Sequence, residues 1–416
     1  MKHFKYILII TFIALIGKSI NATEVCEIHR GSDALLCALK KHPSIVLAQT
    51  QVPIASINRE LSSRWLNPEL EAGVGYTSTA ADGTGITVDI AVMQTIETSS
   101  KRGARRAQAN AEYAYAFATL EEQKEEAMMQ MLSTLNRLRQ IDKEKHLLDE
   151  TINTFVRLIR RYNARPALSP EDRISADLFR FVLNNYRIEK NQLEAEEKEL
   201  IGTLEPILCC DTSITQKLFL YSPKIWPKID DNNIENSTIL AKEQANIDQA
   251  KANYLDAKSS SFGEFRVGPY IQTKPGDIST IDAYGAKFEI PIPISSNKKS
   301  TEAGRLALSS AEFTFEAKKR ELETGINNLK TKYTLGISTL ASYDIKEIER
   351  HHIRAKNLFD SGRVSGGLLI EVHRQMVDSI RTYHQYEMET LQALWQIYAL
   401  QKKLLTNLNE VYDENI

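Results

Sequence analysis

The sequence predicts a mainly α protein with β, built as a tandem repeat of helix, β-hairpin and a pair of long coiled-coil helices. Three observations carry that prediction. Hydrophobic period switches from helical to alternating and back, twice, in the same order. Glycine and proline are scarce, 18 and 12 in 416 residues, which speaks against a conventional sandwich or a disordered chain. The composition, 42% hydrophobic and 25% charged with only 8% aromatic, suits long amphipathic helices better than a sandwich. Lys plus Arg number 52 against 54 Asp plus Glu, so neither a nucleic-acid-binding surface nor an acidic tail is indicated.

Residues 1–22 read as a secretory signal peptide. Lys2 and Lys5 form a basic start, and the apolar run from Tyr6 to Gly17 is too short for a membrane-spanning helix. Export permits disulfides, and Cys26, Cys37, Cys209 and Cys210 leave three pairings open. No CxxC spacing points to redox or zinc chemistry.

The first repeat occupies residues 23–210. Asp33 to about Arg64 has helical character, interrupted by Pro43 and Pro53. Leu70, Ala72, Val74 and Tyr76 then alternate with Glu71, Gly73, Gly75 and Thr77, a strand over about 69–78. After Asp82-Gly83, Ile86, Val88, Ile90 and Val92 alternate with Thr87, Asp89, Ala91 and Met93, a strand over about 86–96. From Ser99 to Asn163 there is no proline and one glycine. Met128, Met131, Leu135, Leu138, Ile141, Leu148, Ile152 and Phe155 mark a coiled-coil-like seam. That seam claims the Met128–Met131 cluster for the core rather than for a soft metal. A turn at Arg165–Ser169 leads into a returning helix, Pro170 to Leu208.

Residues 211–233, with Ser222-Pro223 and Trp226-Pro227, read as a linker, and the second repeat fills 234–416. Phe262-Gly-Glu-Phe-Arg-Val-Gly268 echoes Asn67-Pro-Glu-Leu-Glu-Ala-Gly73 about 195 positions later. Its strands fall at about 263–273 and 283–292, with Pro291 and Pro293 ending the second because neither can donate to a ladder. Arg305, Ala307, Ala311 and Glu312 repeat Arg105, Ala107, Ala111 and Glu112. One continuous helix is expected from Lys298 to Asp360, a turn at Ser361–Gly367, and a last helix to Leu405. His351 and His352 are neighbours on a helix and do not share a face, so they offer no metal site.

The hairpins present an apolar face that nothing else in the sequence covers. No stretch after Gly17 is apolar enough to span a membrane as a helix, so any crossing would need a closed barrel. Four strands are too few to close one, which starts at about eight, so copies of the chain would have to join. On that reading Asp89, Lys287 and Glu289, on the polar strand faces, line a wet barrel lumen.

Met93-Gln-Thr-Ile-Glu-Thr-Ser-Ser-Lys-Arg-Gly103, Phe288-Glu-Ile-Pro-Ile-Pro-Ile294 and Ser361-Gly-Arg-Val-Ser365 together resemble the TolC-like outer-membrane efflux proteins (outer membrane factors), over nearly all of the mature chain. The resemblance implies a homotrimeric, 12-stranded β-barrel continuous with a periplasmic α-helical barrel. It implies a passive exit duct in the outer membrane of a Gram-negative bacterium, in contact with outer-membrane lipid, with a large periplasmic part. A periplasmic adaptor (membrane fusion) protein and an inner-membrane pump would dock on the helix tips. By this resemblance Ala167, Leu168, Ser169, Gly362, Val364, Ser365 and Gly366 are docking-tip residues, and Asp172 and Glu371 line the periplasmic constriction. Leu368 stands where Asp172 has its repeat counterpart, and Pro166 replaces the usual tip glycine. Asp172 is equally a first-turn acid favourable to its helix dipole, and Glu371 a solvated helical charge. With no nucleophile motif, phosphate loop or metal-ligand spacing, neither enzymatic activity nor a cofactor is expected. The alternative is a periplasmic coiled-coil adaptor or scaffold, which would explain the helices and leave the strands unexplained.

Overall fold

The computed structural model describes residues 31–79, 83–208, 219–220, 223, 225–229, 233–259, 264–291 and 297–406. The expected signal peptide, Cys26, Cys209, Cys210 and much of the expected linker lie outside them. Helices dominate, with one small antiparallel sheet.

Two helices open the described chain, α1 (Gly31–Lys41) and α2 (Pro43–Ser63). They part at His42 because Pro43 takes the first helical position, where its missing N–H costs nothing. Pro53, expected to interrupt, is carried inside α2. Strands β1 (Glu69–Thr79) and β2 (Gly83–Glu97) follow. Thr98 then caps α3 (Ser99–Asn163) by accepting from the Lys101 N–H. At 1.5 Å per residue α3 is about 98 Å long. It returns as α4 (Pro170–Leu208).

The second half repeats the order with α5 (Thr238–Ser259), β3 (Glu264–Lys274), β4 (Asp277–Glu289), α6 (Asn297–Ser342), α7 (Ile345–Asp360) and α8 (Gly366–Leu400). Here the expected single helix from 298 to 360 is corrected to two. Asp344 leaves helical geometry, and its carboxylate accepts from the Glu347 N–H at 3.0 Å, an N-cap that starts α7 afresh. β4 also begins earlier than its alternation suggests, because Pro275-Gly276 makes a two-residue turn between the paired Lys274 and Asp277.

The hairpins join through β2 and β3 into one sheet of order β1-β2-β3-β4, antiparallel throughout. Its register places Leu70 beside Val92, Val74 beside Val88, Ile90 beside Ile271, and Val267 beside Phe288. Apolar residues therefore line up across one face and polar ones across the other. β1 and β4 are its edges.

Helix packing supplies the core. Met128, Met131, Leu132, Leu135 and Leu138 of α3 meet Ile326 of α6 and Leu391, Leu394 and Trp395 of α8. Toward the turns, Leu148, Phe155, Leu158 and Tyr162 of α3 pack on Phe179, Leu183 and Tyr186 of α4 and Leu369 of α8. Ile45 and Ala48 fasten α2 to Leu120 and Ala127. Cys37 is disulfide-bonded to a partner outside the described residues, and its sulfur rests 3.9 Å from the Ile207 carbonyl. Among the described residues no helix is long and apolar enough to cross a membrane.

Candidate functional site

Two regions carry the sequence-predicted residues: the faces of the sheet and the turns at the far ends of the helices. On the sheet, period two sends Leu70, Val74, Tyr76, Ile86, Ile90 and Val92 to one side, and all are exposed. Phe265, Ile271, Tyr284 and Phe288 extend the same uncovered face across β3 and β4, Tyr284 reaching 84% exposure. The opposite face is polar and ion-paired. Arg266 bonds Glu69 at 2.9 Å and Glu289 at 2.8 Å, and Lys287 bonds Glu71 at 2.7 Å and Glu289 at 2.9 Å. These side chains reach over β2, where Ala91, Met93 and Thr95 are buried. Asp89 shares a cavity of about 480 Å³ with Glu71 and Lys287. The three residues expected on the polar face thus lie together. Arg266, which joins them to β1, was visible only as a polar member of an alternating run.

The two helix turns are built alike around a serine. Ser169 accepts from the Asp172 N–H at 3.1 Å, and Ser365 accepts from the Leu368 N–H at 3.3 Å, each capping the returning helix. Leu168 and Val364, one residue earlier, are both half-buried, while Ala167, Ser169, Gly362 and Ser365 are exposed. The outgoing helices end differently. At α7, Arg363 N–H reaches the Leu358 carbonyl and Gly362 N–H the Phe359 carbonyl, each at 2.9 Å. That double bond requires the left-handed Gly362, at φ +71°, which a side chain would strain. At α3 Pro166 stands in the turn, and Arg165 organises it instead, lying over the Tyr162 ring at 5.0 Å and bonding Asp172 at 3.2 Å.

Gly366 differs from its tip neighbours because it is buried. A Cβ there would come within 2.8 Å of the Phe179 ring, so this glycine lets α8 approach α4. Asp172 and Glu371 are each matched within their own hairpin, Asp172 by Arg165 and Glu371 by Arg374 at 2.7 Å. The Arg374 guanidinium holds the Glu371 carboxyl below the usual carboxylate range.

Behind the tips lies a histidine pair that adjacency in sequence did not suggest. His352 of α7 faces His373 of α8, Nε2 to Nε2 at 3.3 Å, beside Phe155. Burial pushes the His373 pKa down to about 3, with His352 and Lys356 adding to it, so the imidazole stays neutral. Farther along, Arg139 bonds Glu387 at 2.6 Å, Gln140 bonds the same carboxylate at 2.8 Å, and Glu144 bonds His384 at 2.6 Å. This buried network ties α3 to α8, partners more than 240 residues apart in sequence. Met128 and Met131 are buried in the core, as their seam spacing implies. Among the described residues no three His, Cys, Asp or Glu side chains are grouped to hold a metal ion.

No protein-family profile matches the chain, and no curated protein sequence matches it. Solved structures do. CusC, described with transmembrane channel formation, superposes with a TM-score of 0.71 at 13% identity, covering 92% of this chain and 95% of that one. The outer-membrane channel OprN gives 0.73 at 12%, covering 89% of each chain. The open-state MtrE outer membrane channel of Neisseria gonorrhoeae gives 0.69 at 13%, covering 93% and 95%. With identity so low it is architecture that is shared, over nearly the full length of both partners, and the chain has the fold of the TolC-like outer-membrane channels.

Proposed function

We propose that this protein is a passive outer-membrane exit duct, the outermost part of a tripartite efflux or secretion system. Three chains would close a 12-stranded barrel, continuous with a helical cylinder in the periplasm. One observation carries the proposal: a four-stranded sheet with an uncovered apolar face and two open edges. Burying a large apolar side chain is worth about 1.5–3 kcal/mol, and this face leaves ten such side chains uncovered. Lipid supplies that burial, but it cannot satisfy the free N–H and C=O groups of β1 and β4. Pairing those edges with neighbouring copies satisfies them and turns the Arg266–Lys287 network inward to water. Eleven residues of β1, tilted by about 40°, match an apolar band about 25 Å tall.

The helices supply the same demand for neighbours. α4 exposes Ile174, Leu178, Phe181 and Ile188 on one stripe, and α2 exposes Leu47, Ile54, Ile57 and Leu61. The paired tips, with Ala167, Leu168, Ser169, Gly362, Val364 and Ser365, form the end to which an adaptor and an inner-membrane pump would dock. Gly366 serves there by packing. Asp172 and Glu371 would line the periplasmic constriction. Transport through such a duct needs no covalent step and no cofactor.

Single cysteines from Ile86→Cys to Val92→Cys test the reading. Positions 86, 88, 90 and 92 should resist a water-soluble thiol reagent in membranes, while 89, exposed on the polar face between them, reacts. Uniform labelling, or release of the protein from membranes by salt alone, would favour the periplasmic adaptor or scaffold instead.

A further inference from the structure

The exposed apolar column on β2 is interrupted at one polar residue, with Ile96 resuming the same face beyond it. Val92 points outward and is exposed, whereas Gln94, next on the same face, donates its side-chain amide to the Leu66 carbonyl at 2.8 Å. The segment joining α2 to β1 is therefore pinned against the apolar face of the sheet at the level of Gln94. Trp65 lies in that segment with 59% of its surface exposed. The Arg102 guanidinium lies over its ring, 4.7 Å from the centroid, and donates to the Ser63 carbonyl. The Arg102 Nε–H is buried and has no acceptor among the described residues.

Beside this pair is a cavity of about 540 Å³ whose lining includes Leu61, Trp65 and Leu66, the cations Arg64 and Arg105, and the carboxylate of Glu112. Arg105 is committed to Glu97 and to the Arg64 carbonyl. Arg64 is 64% exposed and meets only the equally exposed Glu60, an ion pair worth little in water. An amphipathic ring beside the exposed Val92 and Leu70, flanked by the guanidiniums of Arg102 and Arg64, matches a phospholipid. Its acyl chains would lie along Val92 and Leu70 and its phosphate would meet the two arginines.

Resting on the duct reading, we infer that Arg102, Trp65 and Arg64 form a binding site for the headgroup of an anionic glycerophospholipid in the membrane leaflet nearer the helices. Guanidinium and phosphate pair through two parallel hydrogen bonds, which Arg102 is oriented to make because the Trp65 ring and the Ser63 carbonyl fix its plane. The site would hold the barrel at one depth and one rotation in the bilayer.

The test uses the full chain, delipidated in detergent and titrated with phosphatidylglycerol under native mass spectrometry. Arg102→Ala should retain at least threefold less lipid than the parent. Arg102→Lys, which keeps charge but not the planar fork, should fall between. In vesicles containing phosphatidylglycerol brominated near the headgroup, a quenched fraction of the tryptophan fluorescence should disappear in Trp65→Phe. Equal lipid retention by Arg102→Ala, equal retention of phosphatidylcholine, displacement by millimolar inorganic phosphate, or quenching unchanged in Trp65→Phe would each overturn the site. If these fail while strand positions 86–92 still label alternately, the headgroup site is wrong and the duct stands. If the strand positions label uniformly, the duct reading itself has failed.

Discussion

Neutralising Glu387 should damage this protein more than any surface change, and the size of the loss follows from its surroundings. Glu387 and Arg139 are 2% and 4% exposed, and their atoms meet at 2.6 Å, with Gln140 donating to the same carboxylate. Glu387→Gln keeps the shape and removes the charge, which leaves a guanidinium in a place water cannot reach. Breaking a buried pair from one side costs about 3–5 kcal/mol, whereas replacing both partners by apolar residues of similar volume is often near neutral. Glu387→Gln should therefore lose about 3 kcal/mol or more in urea unfolding followed by helical circular dichroism. The double variant Arg139→Met/Glu387→Met should recover most of it, giving a coupling of at least about 2 kcal/mol. A single variant within 1 kcal/mol of the parent, or a double variant as damaged as the single, would refute the view that this pair clamps the two repeats together.

Gly362→Ala forces a side chain into the left-handed region, at about 1–2 kcal/mol, and should reduce crosslinking to an adaptor while chemical crosslinking still yields the same oligomer. Asp344→Ala removes the cap of α7 for about 1 kcal/mol, so hydrogen exchange should accelerate across 345–360 and stay unchanged in α3. Glu125 gives a pH signature. Burial raises its pKa to about 7, so between the unfolded value near 4.5 and that point the folded state binds more protons than the unfolded one. Its contribution to stability is intact below about pH 4.5 and falls by about 3 kcal/mol as pH rises to 7, a slope that Glu125→Gln should flatten in melts run from pH 4 to 8.

Much of the architecture was readable because it depends on local periodicity. Ile86, Val88, Ile90 and Val92 alternate with Thr87, Asp89 and Ala91 because the two sides of the sheet face different surroundings, and a one-residue slip would exchange them. The span of α3 was legible for a different reason: with no proline and one glycine over 65 residues, nothing stops the helix. What stayed hidden depends on partners distant in sequence. Neither Arg139 nor Glu387 carries any local mark of a mate 248 residues away. Arg266 could be placed on a polar face, but its bonds to Glu69 and Glu289 require the β2–β3 register.

The break before α7 leaves only a faint signature in the sequence. Asp344 and Glu347 have the spacing of an N-cap and its third helical residue, but no glycine or proline between 337 and 361 marks a stop. That break separates two repeats that otherwise match. In α3 the seam continues to the tip through Leu148, Phe155 and Leu158, all buried against α4 and α8. The corresponding part of the second repeat instead carries Lys346, Arg350 and Arg354, like charges four residues apart that disfavour a helix, and α7 buries none of its residues. The first hairpin is thus anchored along its whole length, while the outgoing arm of the second is held by its cap, by α8 and by the His352–His373 contact. A duplicated pattern with unequal anchoring puts the lower cost of local opening on α7, at the end of the molecule where a docking partner would meet it.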